Sequence, residues 1–200
     1  MEITQDLAEL LGIIVGDGYV RTKKPIWLSI ECASHERGFI DGNVIPLIES
    51  IFEIKSSGRY FNRNGTKNTY GICVCNRELV KTLESFGVAM NHNFIDVPKQ
   101  ILSNNKKIKA RFLRGYIDTD GCLSFISKKG KFNYPRLNIS SVSYKLTLNA
   151  SNIFKELGFV GSFWKFKIGK KSKLPLYRFE IKGSYMIDKW FNEIGTKNPS

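Results

Sequence analysis

The sequence has little of what zinc-binding, membrane and secreted proteins usually carry. It includes four cysteines and, besides His35 and His92, no other histidine, and no pair of cysteines has the CxxC spacing of a zinc site. No apolar run is long enough to span a membrane, and the N-terminus lacks the basic-then-apolar pattern of a signal peptide. We therefore expect an intracellular protein that does not contact a membrane and whose cysteines are reduced and buried.

Acidic residues are scarce in the second half of the chain. Residues 1–100 contain 11 Lys and Arg against 12 Asp and Glu, whereas residues 101–200 contain 20 against 6. The formal net charge of +13 favours a polyanionic partner. Solubility or ribosome binding would also explain a basic surface, so charge alone supports a nucleic-acid partner without selecting one.

The most informative feature is a nine-residue segment that occurs twice. Residues 10–18 read LLGIIVGDG and residues 113–121 read LRGYIDTDG, so each copy is an apolar helical pattern that ends in Asp-Gly. Small residues four positions apart allow two helix backbones to approach closely. We therefore expect the two helices to pack together and to place Asp17 beside Asp120. The small residues are Ala8, Gly12, Gly16, Gly115 and Thr119.

Two carboxylates at adjacent helix ends would form a strongly negative pocket, because a helix C-terminus carries about half a negative charge. Such a pocket either traps protons or holds a cation, and hydrated oxygen ligands suit Mg²⁺ better than Zn²⁺. One Asp-Gly after a helix is equally well explained as a turn with a left-handed glycine cap. Because the motif occurs twice, we favour the metal site.

The duplication extends beyond these segments. Hydrophobic periodicity predicts the order α-β-β-α-β-β-α in residues 1–90 and again in residues 109–200, with residues 91–108 as a linker. The predicted fold is α+β, with two pseudo-symmetric halves and the motif helices packed at their interface. Each half contributes a four-stranded antiparallel sheet with helices on one face, which leaves the other face uncovered.

The paired segments resemble the motifs of the LAGLIDADG homing endonucleases, in the form in which one chain carries both copies. The first copy departs at Val15, where the family often has an acid. The resemblance implies a monomer with internal pseudo-twofold symmetry, a saddle of antiparallel sheets that binds DNA, and Mg²⁺-dependent cleavage of both strands. The second copy matches the family at Leu113, Gly115, Ile117, Asp118, Asp120 and Gly121.

The resemblance also implies site residues. Asp17 and Asp120 would bind two or more Mg²⁺ ions, with the carbonyl groups of Gly16 and Thr119 as further ligands, and Mn²⁺ or Ca²⁺ could replace Mg²⁺ for binding. Family members commonly add basic residues, and Lys182, at the end of the last strand, is the candidate, although it is equally explained as a solvated lysine. Two positions where the family often has lysine hold Ala33 and Val142. By helical phase, Asp118 faces away from the pocket, so we expect it to cap a helix or to pair with a neighbouring basic residue.

Period-two alternation predicts which side chains occupy the uncovered sheet faces. Strands can enter the major groove, where Arg, Lys, Asn and Glu read base edges, whereas loop lysines suit phosphates. A solvated sheet face would show a similar alternation. The predicted DNA contacts are Tyr19, Arg21, Lys23, Trp27, Ser29, Glu31, Arg59, Arg63, Ser124, Ile126, Lys128, Arg136, Asn138, Ser140, Lys165, Lys167, Lys170, Lys171, Arg178 and Glu180.

Two other functions fit the same fold. One is an RNA maturase that uses the basic surface to fold its own intron, and the other is a DNA-binding regulator that does not cut. Retention of both Asp17 and Asp120 argues against the regulator, but it does not exclude a maturase that also cuts.

Overall fold

The structure is a computed structural model that describes residues 1–63, 66–89, 95–128, 130–166 and 174–198. Its helices are α1 (Gln5–Asp17), α2 (Arg37–Phe39), α3 (Ile45–Phe52), α4 (Arg77–Ser85), α5 (Lys99–Leu102), α6 (Lys106–Asp120), α7 (Tyr144–Glu156) and α8 (Ser184–Glu193). Its strands are β1 (Gly18–Arg21), β2 (Trp27–Ala33), β3 (Arg59–Arg63), β4 (Thr66–Val74), β5 (Gly121–Lys128), β6 (Lys131–Ser141), β7 (Gly161–Phe166) and β8 (Leu176–Lys182).

The two halves have the same sheet topology. The first sheet has the strand order β1-β2-β4-β3 and the second has β5-β6-β8-β7, and all neighbouring strands are antiparallel. In both sheets a motif helix leads directly into the first strand, so the end of each helix lies at one edge of a sheet. The predicted α+β fold with a doubled α-β-β-α-β-β-α order is confirmed.

The motif helices α1 and α6 form the centre of the molecule. Thr4 caps α1 by accepting a hydrogen bond from the backbone N–H of Leu7 at 3.2 Å, and Asn105 caps α6 by accepting from the N–H groups of residues 107 and 108. Both helices are buried along most of their length, and Phe112 and Tyr116 are fully enclosed. The core therefore sits between the two sheets, where it fixes the relative position of the halves.

The described part of the predicted linker, residues 95–108, contains regular structure. It includes α5, and its side chains at Ile95, Val97 and Ile101 are buried in the core. The helix α6 begins at Lys106, inside the predicted linker. The prediction placed this helix start too late, because residues 104–107 are polar and a polar first turn has the same composition as a loop.

The expectation of buried cysteines is right only for Cys32. The Cys75 and Cys122 side chains are exposed, because Cys75 follows the last residue of β4 and Cys122 faces away from the core on β5. No helix in the described part of the chain combines the length and the apolar character needed to cross a membrane.

Candidate nucleic-acid interface and metal site

The two motif helices pack backbone to backbone. A Cβ atom added at Gly12 would lie 2.1 Å from the carbonyl oxygen of Phe112, and one added at Gly115 would lie 2.0 Å from that of Glu9. Real Cβ atoms are never found at such distances from a backbone oxygen, so only glycine fits at either position. The stripe of small residues therefore has the role that the sequence predicted.

The same packing brings the two motif ends together. A Cβ atom at Gly16, the residue before Asp17, would lie 3.6 Å from the carboxyl carbon of Asp120 and would collide with Thr119. Each aspartate ends its helix and is followed by glycine at the start of a strand. The helix pair thus places a carboxylate from each half in one cleft.

The glycines after the aspartates do not form left-handed caps. Gly18 and Gly121 have extended backbones, with φ of −84° and −78°. They are required for a different reason, since a Cβ atom there would lie 2.6 Å from the carbonyl oxygen of Ile14 and 2.4 Å from that of Ile117. The helix therefore turns straight into the strand, which points both aspartates into the cleft between the sheets.

The cleft disfavours negative charge on both aspartates. Solvent reaches part of the Asp17 side chain, which lies between the helix ends. Loss of hydration among the surrounding protein atoms raises the pKa of Asp17 to about 7, and the negative charges of Asp120 and Glu36 raise it further. Burial raises the pKa of Asp120 to about 6. In the part of the chain that the structure describes, no positively charged side chain contributes to the pKa of either aspartate. When both carboxylates are ionised they repel each other, and a bound divalent ion would relieve this repulsion.

The donor set fits a hard cation. The candidate side-chain donors are the carboxylates of Asp17 and Asp120, and among the described residues no cluster of three or more His, Cys, Asp or Glu side chains is arranged for a metal. The Thr119 hydroxyl donates to the carbonyls of Gly115 and Tyr116 within its own helix. Two carboxylates with room for water or phosphate oxygen suit Mg²⁺.

The candidate catalytic residue Lys182 forms an ion pair within the second sheet, and its catalytic role stays a prediction. Its ammonium forms an ion pair with Glu180 at 2.7 Å, and its strand position is opposite Arg136. It does not contribute to the pKa shifts of Asp17 or Asp120. The prediction that Lys182 lies at the end of the last strand is correct, since β8 ends at this residue.

The first sheet presents a cavity of about 960 Å³ that begins at the motif and runs along the uncovered face. Tyr19, Trp27, Ser29, Glu31 and Arg59 line it as predicted. Sequence reasoning missed two further residues, Phe61 and Cys73, although both follow from the same alternation once Arg59 and Ser29 are assigned. Arg21 also lies on this face, with its guanidinium carbon 4.6 Å from the centre of the Trp27 ring.

The second sheet presents a row of cross-strand polar pairs. The register aligns Ser124 with Arg136 and Ser140 with Arg178, on the face opposite the buried Leu137 and Ile139. The missed residues on this face include three aromatic ones, Tyr134, Trp164 and Phe166. Ile126, paired with Tyr134, lies on the uncovered face as predicted.

Two of the predicted base readers are engaged within the protein. Glu180 is 4% exposed and forms ion pairs with Lys182 and Arg136, and Asn138 is 7% exposed and donates to the carbonyl of Cys122 at 3.2 Å. Both lie on the predicted face. Their role in the structure is to orient neighbouring side chains.

The prediction for Lys165 is wrong as to its face. Lys165 is aligned with Tyr177, whereas Trp164 is aligned with Arg178, so Lys165 points to the side of the sheet opposite Arg178. The sequence does not fix the register between β7 and β8, because β7 ends at Phe166 and β8 begins only at Leu176. Lys23 lies just beyond the end of β1, in the turn, where its carbonyl accepts from Arg21.

Several predicted contacts fall outside the described residues or side chains. Lys167, Lys170 and Lys171 lie in the segment that the structure does not describe. For Arg63 and Lys128, the structure describes the backbone as part of β3 and β5.

Asp118 faces away from the cleft, as its helical phase predicted. Its carboxylate accepts hydrogen bonds from the hydroxyl of Thr196 and from the backbone N–H of Lys197. The expected partner was a helix end or a neighbouring basic residue, whereas the observed partner is the segment after α8. This contact is long-range in sequence, so periodicity does not reveal it.

Comparisons with known proteins agree with this architecture. A family model for LAGLIDADG-like domains matches residues 107–195. The chain is 30% identical over 171 residues to the replication factor C small subunit of Methanocaldococcus jannaschii and 25% identical over 156 residues to the uncharacterized protein MJ0314 of the same organism. Each match covers 78% of this chain but only 8% and 55% of the relative, so the chain spans a small part of the first and about half of the second.

Solved structures show the same fold over nearly the whole chain. The homing endonuclease I-DmoI in complex with DNA and Ca has a TM-score of 0.67 at 18% identity, covering 98% of this chain and 93% of that one. I-WcaI bound to its DNA recognition sequence has a TM-score of 0.61 at 14% identity, with 97% and 82% covered. The N-terminal LAGLIDADG domain of DUF199/WhiA also has a TM-score of 0.61, at 13% identity, with 96% and 81% covered. The resemblance seen in the paired motifs is thereby confirmed: residues 107–195 are a LAGLIDADG-like domain, and the chain as a whole has the two-half fold of the LAGLIDADG homing endonucleases.

Proposed function

We propose that this protein is a site-specific endonuclease that cleaves both strands of duplex DNA with the help of divalent metal ions. The observation that carries the proposal is the meeting of Asp17 and Asp120, one from each half, in a cleft between two uncovered sheet faces. A duplex lying across both faces would bring each strand near this cleft. The I-DmoI structures that contain DNA together with Ca or Mn support the metal requirement.

Separate sets of residues would bind the DNA and the metal ion. The sheet faces would hold and orient the duplex through side chains such as Arg59 and Arg178, while Asp17 and Asp120 would hold the ion at the scissile phosphates. A bound divalent ion supplies Lewis-acid charge stabilisation and activates water for attack. The raised pKa values of the aspartates mean that the ion has to displace protons from these groups, so binding strengthens as pH rises toward 7.

The first test is a cleavage assay on a duplex library, with Mg²⁺ and with chelator. Asp17→Asn and Asp120→Asn should each lower cleavage by about 100-fold or more, because a lost metal ligand removes several kcal/mol of transition-state stabilisation. DNA binding in Ca²⁺ should stay within about threefold, since the sheet faces are unchanged. Glu78→Gln, in an exposed ion pair on α4, is the matched control. Undiminished cleavage by either aspartate variant would refute the assigned role.

A second candidate is a sequence-specific DNA-binding protein that does not cut. The surroundings of the aspartates favour it. Among the described residues, no basic side chain contributes to the pKa of Asp17 or Asp120, and Lys182, the candidate catalytic lysine, forms an ion pair with Glu180. Selective duplex binding by the wild-type protein with no cleavage in Mg²⁺ or Mn²⁺ would replace the nuclease with this regulator. An intron-RNA maturase would instead be indicated by selective binding of structured RNA over duplex DNA.

A further inference from the structure

We infer that Arg178 reads a guanine in the half-site that lies against the second sheet, and that the first sheet has no side chain at the equivalent strand position. The inference rests on the proposed binding of duplex DNA across both sheets. It goes further by assigning one side chain to one base and by predicting an asymmetry in the target.

The Arg178 side chain is oriented before DNA arrives. Its Nε donates to the Ser140 hydroxyl at 3.0 Å across the β6–β8 pair, and its guanidinium carbon lies 4.9 Å from the centre of the Phe166 ring. Among the described residues, the hydrogen bonds of Arg178 engage only Nε. The two terminal nitrogens are therefore left as a planar fork, fixed in position by a hydrogen bond on one side and an aromatic ring on another.

That fork matches one base edge. In the major groove, guanine presents two adjacent acceptors, O6 and N7, and a bidentate arginine is the side chain that satisfies both. Because Ser140 and Phe166 restrict the side chain, little rotamer freedom remains to be lost on binding. The arrangement thus favours direct base readout over a loose contact with phosphate.

The neighbouring Arg136 is held differently. Its Nε donates to Ser124 at 2.9 Å, but one terminal nitrogen also donates to Glu180 at 3.3 Å. This ion pair occupies half of the fork and offsets the charge. Arg136 therefore lacks the free pair of donors that Arg178 retains, although both lie on the same face.

The first half cannot make the equivalent contact. Its residue in the position of Arg178 is Gly71, on the strand that corresponds to β8. A Cβ atom at Gly71 would lie 2.0 Å from the carbonyl oxygen of Ile30, so no side chain fits there. The two sheets have the same topology but different side chains at this position. The guanine preference due to Arg178 should therefore have no match at the symmetry-related base pair of the other half-site.

The test is selection from a randomised duplex library by the full chain in Ca²⁺, which separates binding from cleavage. The wild-type protein should show one position in one half-site where guanine is preferred by about 10- to 100-fold. Arg178→Ala should flatten the preference at that position alone. Arg178→Lys, which keeps the charge but loses the fork, should do the same while retaining more of the overall affinity.

Two further variants distinguish readout from a structural effect. Ser140→Ala frees the Nε contact and should reduce the guanine preference at the same position by a smaller factor. Arg77→Ala removes an equal charge from the start of α4, away from the sheet faces, and should leave every preference unchanged. Thermal melts establish that each variant is folded.

The two proposals fail in different ways. If the wild-type protein selects no duplex sequence, the proposed function is overturned. If it selects a sequence but Arg178→Ala and Arg178→Lys keep all its preferences, the assignment of Arg178 is overturned. A guanine preference that Arg178→Ala abolishes in both half-sites alike would overturn the predicted asymmetry.

Discussion

Asp17 and Asp120 are held in an environment that costs stability in the absence of a cation. Their pKa values in the folded protein, about 7 and about 6, lie above the ordinary value of 3.8 because burial disfavours both charged forms, and the charge of Asp120 raises the pKa of Asp17 further. The folded state therefore binds more protons than the unfolded state between pH 4 and 7. The contribution of these two groups to stability therefore falls as pH rises through this window.

This linkage gives a prediction for the metal-free protein. In chelator, its Tm should decrease as the pH is raised from about 4 to about 7. Asp17→Asn should raise the Tm at pH 7.5 by about 2–4 °C, which corresponds to about 1 kcal/mol for a chain of this size, and should give no gain at pH 4. The expected gain is modest because the Asp17 side chain is reached by solvent, which screens its charge.

The effect of Mg²⁺ on the Tm tests the same explanation. The ion should restore the Tm of the wild-type protein at pH 7.5 and should have a smaller effect on Asp17→Asn, as followed by scanning calorimetry. A Tm that rises with pH between 4 and 7 would contradict this account of the cleft.

At the level of elements, the position of the carboxylates depends on how closely α1 and α6 approach. Gly12 and Gly115 each face a backbone carbonyl of the opposite helix. One added methyl group at either position would force the helix axes apart, and interior packing has little slack to absorb such a shift.

Gly115→Ala should therefore destabilise the protein by about 2–4 kcal/mol, at or above the upper part of the range for overpacking, although alanine favours the helix itself. Gly42→Ala is the matched control, because nothing lies within 4 Å of a Cβ atom at this exposed position in the helical segment between α2 and α3. It should change stability by less than about 1 kcal/mol. Urea unfolding measures both, and equal effects of the two substitutions would contradict the close-packing argument.

At the level of the whole molecule, a buried ionic cluster joins the two halves. Glu9 of α1 is fully buried and forms ion pairs with Arg114 and Arg111 of α6, and with Lys197 in the segment after α8. Lys197 also donates to Asn43 at 2.8 Å, so the end of the second half is anchored to the first.

Glu9→Gln should cost about 3 kcal/mol or more, because it leaves the largely buried Arg114 without a charged partner. The control is Glu78→Gln, which breaks an exposed pair with Lys81 and should change the free energy of unfolding by less than about 0.5 kcal/mol. Denaturant unfolding followed by two probes, one in each half, also shows whether the halves unfold together. A loss of less than 1 kcal/mol in Glu9→Gln would contradict a supporting role for the cluster.

The sequence predicted local features well. The apolar periodicity gave both motif helices, the spacing of small residues gave their close contact, and period-two alternation gave most of the exposed sheet face, including Tyr19 and Arg178. These features depend on neighbours within a few residues, which is the range over which helix and strand periodicity acts.

The errors on the sheet faces involve contacts between segments far apart in the chain. Lys165 was assigned to the wrong face because the β7–β8 register depends on packing across the sheet, and the ion pair between Lys182 and Glu180 was not predicted because it also depends on the fold. The sequence by itself determined the doubled architecture and the two aspartates that end the motif helices. Only the tertiary structure decided which basic side chains are free to meet DNA and which are held by Glu9 and Glu180, since a charge is neutralised by whatever the fold brings within a few ångströms of it.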